Sequence, residues 1–133
     1  MGVRGLDHLA ITVADMDVTL DFYKRVLGAH THFEDLFRKG EIPVVLLQVG
    51  ASRISVHQAD SPAAPHALVP QPGSGDFCMR WDGPIEAAQE KLAAENVDVI
   101  EGPVPRPAAD GRPGQSVYFR DPDGNLLELL SSD

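Results

Sequence analysis

Cysteine is almost absent from this chain: Cys78 is the only one among 133 residues. A single thiol excludes an intramolecular disulfide and any cluster of cysteine thiolates around zinc. Its surroundings, "DFCMRW", read as a strand, so Cys78 is expected to be a buried packing residue and not a nucleophile. Long apolar runs are missing too. No stretch approaches the roughly 20 residues needed to span a bilayer. The start "MGVRGLDHL" lacks a basic region followed by an apolar core, so residence in the cytoplasm is the expectation. Basic residues are scarce: 11 Lys and Arg face 20 Asp and Glu, for a formal net charge of −9. Such a field repels phosphate backbones and anionic membrane surfaces, which argues against nucleic acid and membrane as partners. A cationic ligand or a metal ion suits it, as does a plainly solvated acidic surface.

What is present suits a folded domain. Hydrophobic residues make up 43% and charged residues 23%, enough for a real core in one domain. "LDHLAITV" (6–13) is strand-like, and "ADMDVTLDFYKRVLG" (14–28) then changes period. Met16, Leu20, Tyr23 and Leu27 fall at helical spacing, with Asp15 placed to cap the start and Gly28 to end it. Three strands are expected next, at 29–37, 43–49 and 52–58, separated by turn material. The stretch 59–75, "ADSPAAPHALVPQPGSG", is dense in proline and small residues and reads as a linker. The order then repeats: a strand at 76–81, a helix at 83–97 with Pro84 near its first turn, and strands at 98–104, 115–120 and 126–130.

Two βαβββ modules in tandem, 5–58 and 76–131 within a single 1–133 domain, are therefore expected, giving an α+β fold. Sliding the second module onto the first by 68 positions sets Asp76 over His8. These two residues then share the first strand of each module, while Glu128 and either Ser55 or His57 share the last. Glu128 stands between Leu127 and Leu129, and a carboxylate on an enclosed face needs a positive partner. A divalent metal satisfies Glu128, His8 and a third ligand together. Imidazole with carboxylate suits Zn²⁺, Ni²⁺, Mn²⁺ or Fe²⁺. No compact motif such as HExxH is present. His30, His32 and His66 are read as exposed or locally bonded.

The segments "LDHLAITVADMDVTLDFYKRVLG", "RISVHQ", "PGSGDFCM", "EGPVPR" and "SVYFRDPDGNLLEL" together resemble the vicinal oxygen chelate superfamily. That group includes glyoxalase I, fosfomycin-resistance proteins, extradiol dioxygenases, methylmalonyl-CoA epimerase and bleomycin-resistance proteins. The likeness covers nearly the whole chain and is strongest to small bacterial glyoxalase-domain proteins of the virulence type. It implies that the paired modules form a cupped, mixed sheet holding a divalent metal. It also implies that His8 and Glu128 match the family's first-strand histidine and last-strand glutamate. Asp76 stands where the second module often begins with histidine. Ser55 departs from the pattern, since it falls nearest a position usually filled by Glu, Gln or His. His57, two residues on, shares a strand face with it.

The expected ligands are thus His8, His57, Asp76 and Glu128, with Glu128 also the candidate catalytic base. Arg53, Arg120 and Tyr118 are candidates for binding substrate, the arginines by pairing an acidic group. Arg120 could equally link to Asp121 or Asp123 in the "DPDGN" turn. Phe77, Trp81, Tyr118 and Phe119 could line an apolar pocket or pack in the core. The resemblance points to a metal-dependent enzyme of the lyase or isomerase type acting on a small molecule through vicinal oxygens. An extradiol-type dioxygenase and a metal-free antibiotic-binding protein are the rivals. A homodimer with sites shared between chains is expected as the assembly.

Overall fold

A computed structural model describes residues 1–133, and each element in it has a local cause in the sequence. Strand β1 spans Leu9–Val13 and helix α1 spans Met16–Leu27. Asp15 caps that helix, its carboxylate accepting from the Val18 N–H at 3.1 Å, which satisfies one of the unpaired first-turn donors. Gly28 ends it at φ 65°, a left-handed conformation that glycine enters without steric cost. Strand β2 (His30–His32), helix α2 (Glu34–Arg38), β3 (Val44–Val49) and β4 (Ser52–Gln58) complete the first module. The second contains β5 (Asp76–Arg80), α3 (Ile85–Ala94), β6 (Glu101–Pro105), β7 (Gln115–Arg120) and β8 (Leu126–Ser131).

The strands form two four-stranded mixed sheets, ordered β1-β4-β3-β2 and β5-β8-β7-β6. In each, the first strand runs parallel to the last of its module and the remaining pairs are antiparallel. This is the α+β fold of tandem βαβββ modules that the sequence pattern predicts. The chain divides into two units, Met1–Pro72 and Gly73–Asp133. Residues 59–75 contain no helix or strand. No helix is long and apolar enough to cross a membrane.

Each unit builds its own core beneath its long helix. In unit one, Leu20, Tyr23 and Val26 of α1 bury against Val45, Leu47, Ile54 and Val56 of the sheet. In unit two, Ala88 and Leu92 of α3 bury with Val117, Phe119, Leu127 and Leu129. Strand alternation then sends the intervening residues to the face away from the helix. Ser55 and His57 on β4, Tyr118 on β7 and Glu128 on β8 all lie there. Phe119 is fully buried in the core, so it does not line a pocket.

Several local expectations change. His8 precedes β1 instead of lying inside a strand that begins at residue 6. The stretch 29–37 is not one strand: β2 stops after three residues, and Phe33 at φ 69° turns the chain into α2. The sequence "EDLFR" suits a helix, with acids in its first turn and Arg38 in its last. Ion pairs from Glu34 to Lys24 at 2.9 Å and from Arg38 to Asp17 join it to α1. Strand β6 begins at Glu101, later than the expected 98. Cys78 is exposed and not buried, because its neighbours Phe77 and Met79 occupy the alternate positions that pair with Leu127 and Leu129.

Candidate functional site

The register fixes which residues correspond between the units. Ala10 stands beside Ser55 in the β1–β4 pair, and Cys78 stands beside Glu128 in the β5–β8 pair. The 68-residue offset carries Ala10 onto Cys78 and His8 onto Asp76. Ser55 therefore occupies the place in unit one that Glu128 occupies in unit two.

In unit one, Ser55 and His57 share the helix-distal face, with Ser55 Oγ 3.1 Å from His57 Nε2. Ser55 is buried and His57 is half-buried. His57 titrates below the ordinary histidine value, chiefly because burial disfavours its charged form, then because His8 and His66 add positive charge nearby. Two imidazoles, those of His8 and His57, are thus brought within electrostatic reach. His8 is half-exposed, and its Nδ1 lies 2.9 Å from an Asp7 carboxylate oxygen. That contact leaves Nε2 as the ring nitrogen open to another partner. A metal-binding imidazole must be neutral, and depressed basicity favours that state in His57. His32 lies with Nε2 2.8 Å from Gln48 Oε1, a local bond as expected, and Arg53 is exposed on β4. His66 lies 2.7 Å from the Ala67 carbonyl, the local bond expected of it.

In unit two, Glu128 faces away from the helix and accepts from the Ser116 hydroxyl at 2.6 Å through Oε2. The Cys78 thiol lies beside it, its pKa pushed up to about 11 by desolvation and by the Glu128 carboxylate. A thiol held that high stays protonated at neutral pH, so it is not poised as a nucleophile. Asp76 is exposed on the same strand face as Cys78. Tyr118 sits directly opposite Glu128. Arg120 bridges its turn, Nη1 donating to the Gly124 carbonyl at 3.1 Å. Behind that turn, Asp121 and Asn125 are buried and bonded to each other at 2.7 Å.

The expected ligands are divided between the units, His8 and His57 in unit one and Asp76 and Glu128 in unit two. Neither unit by itself gathers three His, Cys, Asp or Glu side chains into a metal-holding group. The donor chemistry nonetheless fits a borderline divalent cation, since imidazoles and carboxylates are its preferred set. Glu128 already has the hydrogen-bonding partner that orients a ligating carboxylate, and His57 has Ser55. Sequence reasoning missed Ser116, although it lies on the same strand face as Tyr118.

His57 and Ser55 are separable by substitution. His57→Ala is expected to weaken Mn²⁺ binding by more than the roughly 10-fold typical of losing an orienting partner. Ser55→Ala should cost less than His57→Ala. Calorimetric titration of both variants checks this, and a larger loss in Ser55→Ala would contradict the assignment.

Comparison with known proteins extends the picture. A family model for the Glyoxalase/Bleomycin resistance protein/Dioxygenase superfamily matches residues 5–129. The chain is 45% identical over 131 residues to a glyoxalase domain-containing protein, RDO1, of Mycosarcoma maydis, covering 98% of this chain and 70% of that one. It is 38% identical over 129 residues to virulence protein STM3117 of Salmonella typhimurium, covering 97% and 85%. The crystal structure of STM3117 superposes with a TM-score of 0.88 at 35% identity over 100% of both chains. The fosfomycin resistance protein FosX of Listeria monocytogenes, solved as a mutant complexed with Mn(II) and 1S,2S-dihydroxypropylphosphonic acid, shares the fold. Its TM-score is 0.71 at 19% identity, covering 99% of this chain and 95% of that one.

Proposed function

We propose, from the premise that the chain belongs to the Glyoxalase/Bleomycin resistance protein/Dioxygenase superfamily, that it is a metal-dependent enzyme acting on a small molecule through neighbouring oxygens. A lyase or isomerase reaction of the glyoxalase kind is favoured. The observation that carries this reading is that His57 and Glu128 both lie on the helix-distal face of the last strand of their repeated units, with His8 just before the first strand of unit one and Asp76 at the start of the first strand of unit two. The FosX structure supports it by showing that the fold accommodates Mn(II).

In this reading His8, His57 and Glu128 hold the metal, and Asp76 assists. Two copies of the chain each lend one unit to a shared site in a homodimer. A bound divalent metal would supply Lewis-acid polarisation of the substrate oxygens. The protein groups do the rest. Ser116 fixes Glu128 through Oε2, and Oε1, were the metal to release it, would be the base that takes a proton from a substrate carbon. Tyr118 offers a hydroxyl beside that carboxylate, and Arg53 and Arg120 are the candidates to meet an acidic substituent.

The test uses full-length protein stripped by a chelator and reloaded separately with Mn²⁺, Zn²⁺, Ni²⁺ or Fe²⁺. Each form is offered the methylglyoxal–thiol adduct, catechol and fosfomycin. Turnover of the adduct that vanishes with the chelator and returns with metal is the expected result. Ring cleavage of catechol confined to the Fe²⁺ form would replace the lyase reading with a dioxygenase, for which His8, His57 and Glu128 supply the two-histidine, one-carboxylate set. Tight binding with neither metal nor turnover would contradict the enzyme reading.

A further inference from the structure

The helix-distal face of unit two carries a group that metal binding does not use. Arg106, just beyond β6, donates from Nε to the Tyr118 hydroxyl at 3.0 Å. Its guanidinium also lies over the Tyr118 ring, 5.7 Å from the centroid. A second donation, from Nη1 to the Pro105 carbonyl at 2.9 Å, fixes the plane of the guanidinium. The Tyr118 oxygen thus accepts a charge-assisted bond and keeps its own O–H to donate. Nη2 meets only Glu101, at 3.9 Å, in a pair whose side chains are 41% and 59% exposed. Such a pair contributes little and yields readily to a better anion.

We propose that Arg106 and Tyr118 form an anion-recognition pair, so that the small molecule bound on this face carries a carboxylate or another small oxyanion. Tyr118 is the contacting donor. Arg106 positions it and supplies the charge, and the planar Nε–H that does so has no counterpart in lysine. Glu128 stands opposite Tyr118 and opposes an anion until its own charge is neutralised. The inference rests on the reading that this face receives the substrate, and it does not require the metal.

The experiment takes the full-length protein after chelation and titrates it with acetate and, separately, with methylphosphonate. Binding is followed by calorimetry in every variant and, in chains that keep Arg106, also on the Arg106 Nε–H resonance, identified by its loss in Arg106→Gln. That resonance is expected to shift saturably with at least one anion, which also tells the two oxyanion sources apart. Glu128→Gln and Glu101→Gln should each tighten binding by removing a competing negative charge. On the Glu128→Gln background, Tyr118→Phe or Arg106→Gln should weaken it about 10-fold or more, the usual loss with a charge-assisted bond. Arg106→Lys should fail to restore it. Unchanged affinity in folded Tyr118→Phe and Arg106→Gln protein would overturn the proposal, as would the absence of tightening in both Glu→Gln variants. Failure of the metal reading would instead appear as unaltered Mn²⁺ binding in His8→Ala, and it leaves this titration untouched.

Discussion

Replacement of His8 by alanine, or of Glu128 by glutamine, is expected to weaken Mn²⁺ binding at least about 100-fold. Loss of groups that merely orient a ligand already costs about 10- to 100-fold, and loss of the ligand itself costs more. Each substitution removes one essential donor of the proposed set. Glu128→Gln keeps the shape of the side chain and an acceptor oxygen for the Ser116 hydroxyl, so its effect isolates the negative charge. His8 is half-exposed and lies outside β1, so His8→Ala leaves the core of unit one intact. Equal Mn²⁺ affinity in both variants and the unsubstituted chain, measured by calorimetry, would remove the metal site.

The acid side of the binding profile carries a second signature of the same set. Protons compete with metal for imidazole nitrogen. Burial, assisted by His8 and His66, lowers the His57 pKa, so its neutral form persists further into acid than that of an ordinary histidine.

Mixing the two variants is expected to rebuild one of the two sites in each heterodimer. His8→Ala removes a ligand from unit one alone, and Glu128→Gln removes one from unit two alone. If each site takes unit one from one chain and unit two from its partner, a heterodimer of the variants contains one site with both lesions and one with neither. Two chains are favoured by the division of the proposed ligands, two in each unit, with no group of three His, Cys, Asp or Glu side chains that could hold a metal. The 59–75 segment, without helix or strand, gives each unit chain length with which to engage a second copy. Open sheet edges at β1, β2, β5 and β6 also favour association, because unpaired strand edges are a standing liability.

Much of the architecture was legible because it is written in periodicity. The change from alternation to helical spacing at Asp15, and the glycine at 28, locate α1 through the cap and the left-handed turn that the structure contains. The repeat was legible because both modules run strand, helix, then strands, even with few identities. The misread segments are those where one residue decides. Phe33 adopts a left-handed conformation without being glycine, a choice that no pattern announces, and the 29–37 stretch breaks there into β2 and α2. Cys78 was misjudged because its strand is not apolar on both faces: Phe77 and Met79 take the core side, which leaves the thiol beside Glu128.

Candidate ligands were readable as residue types at matched positions, whereas their partners were not. Ser116 becomes meaningful only when β7 and β8 pair and its hydroxyl meets Glu128. Arg106 sits 12 positions from Tyr118, in a proline-rich stretch whose path only the folded chain fixes. Arg120, by contrast, was readable as a turn residue. Its acceptor is the Gly124 backbone carbonyl, which sequence does not distinguish from the carboxylates in the same turn.

Native mass spectrometry of Mn²⁺-supplemented protein tests the shared metal site most directly, because it counts chains and metal ions in one species. The unsubstituted protein is predicted to appear as a dimer carrying two Mn²⁺ ions, and the His8→Ala and Glu128→Gln homodimers as dimers carrying none. After the two variants are unfolded and refolded together, the heterodimer should carry one. A heterodimer without metal, or a metal-bearing monomer of the unsubstituted chain, would contradict a site built from His8 and His57 of one copy and Glu128 of the other.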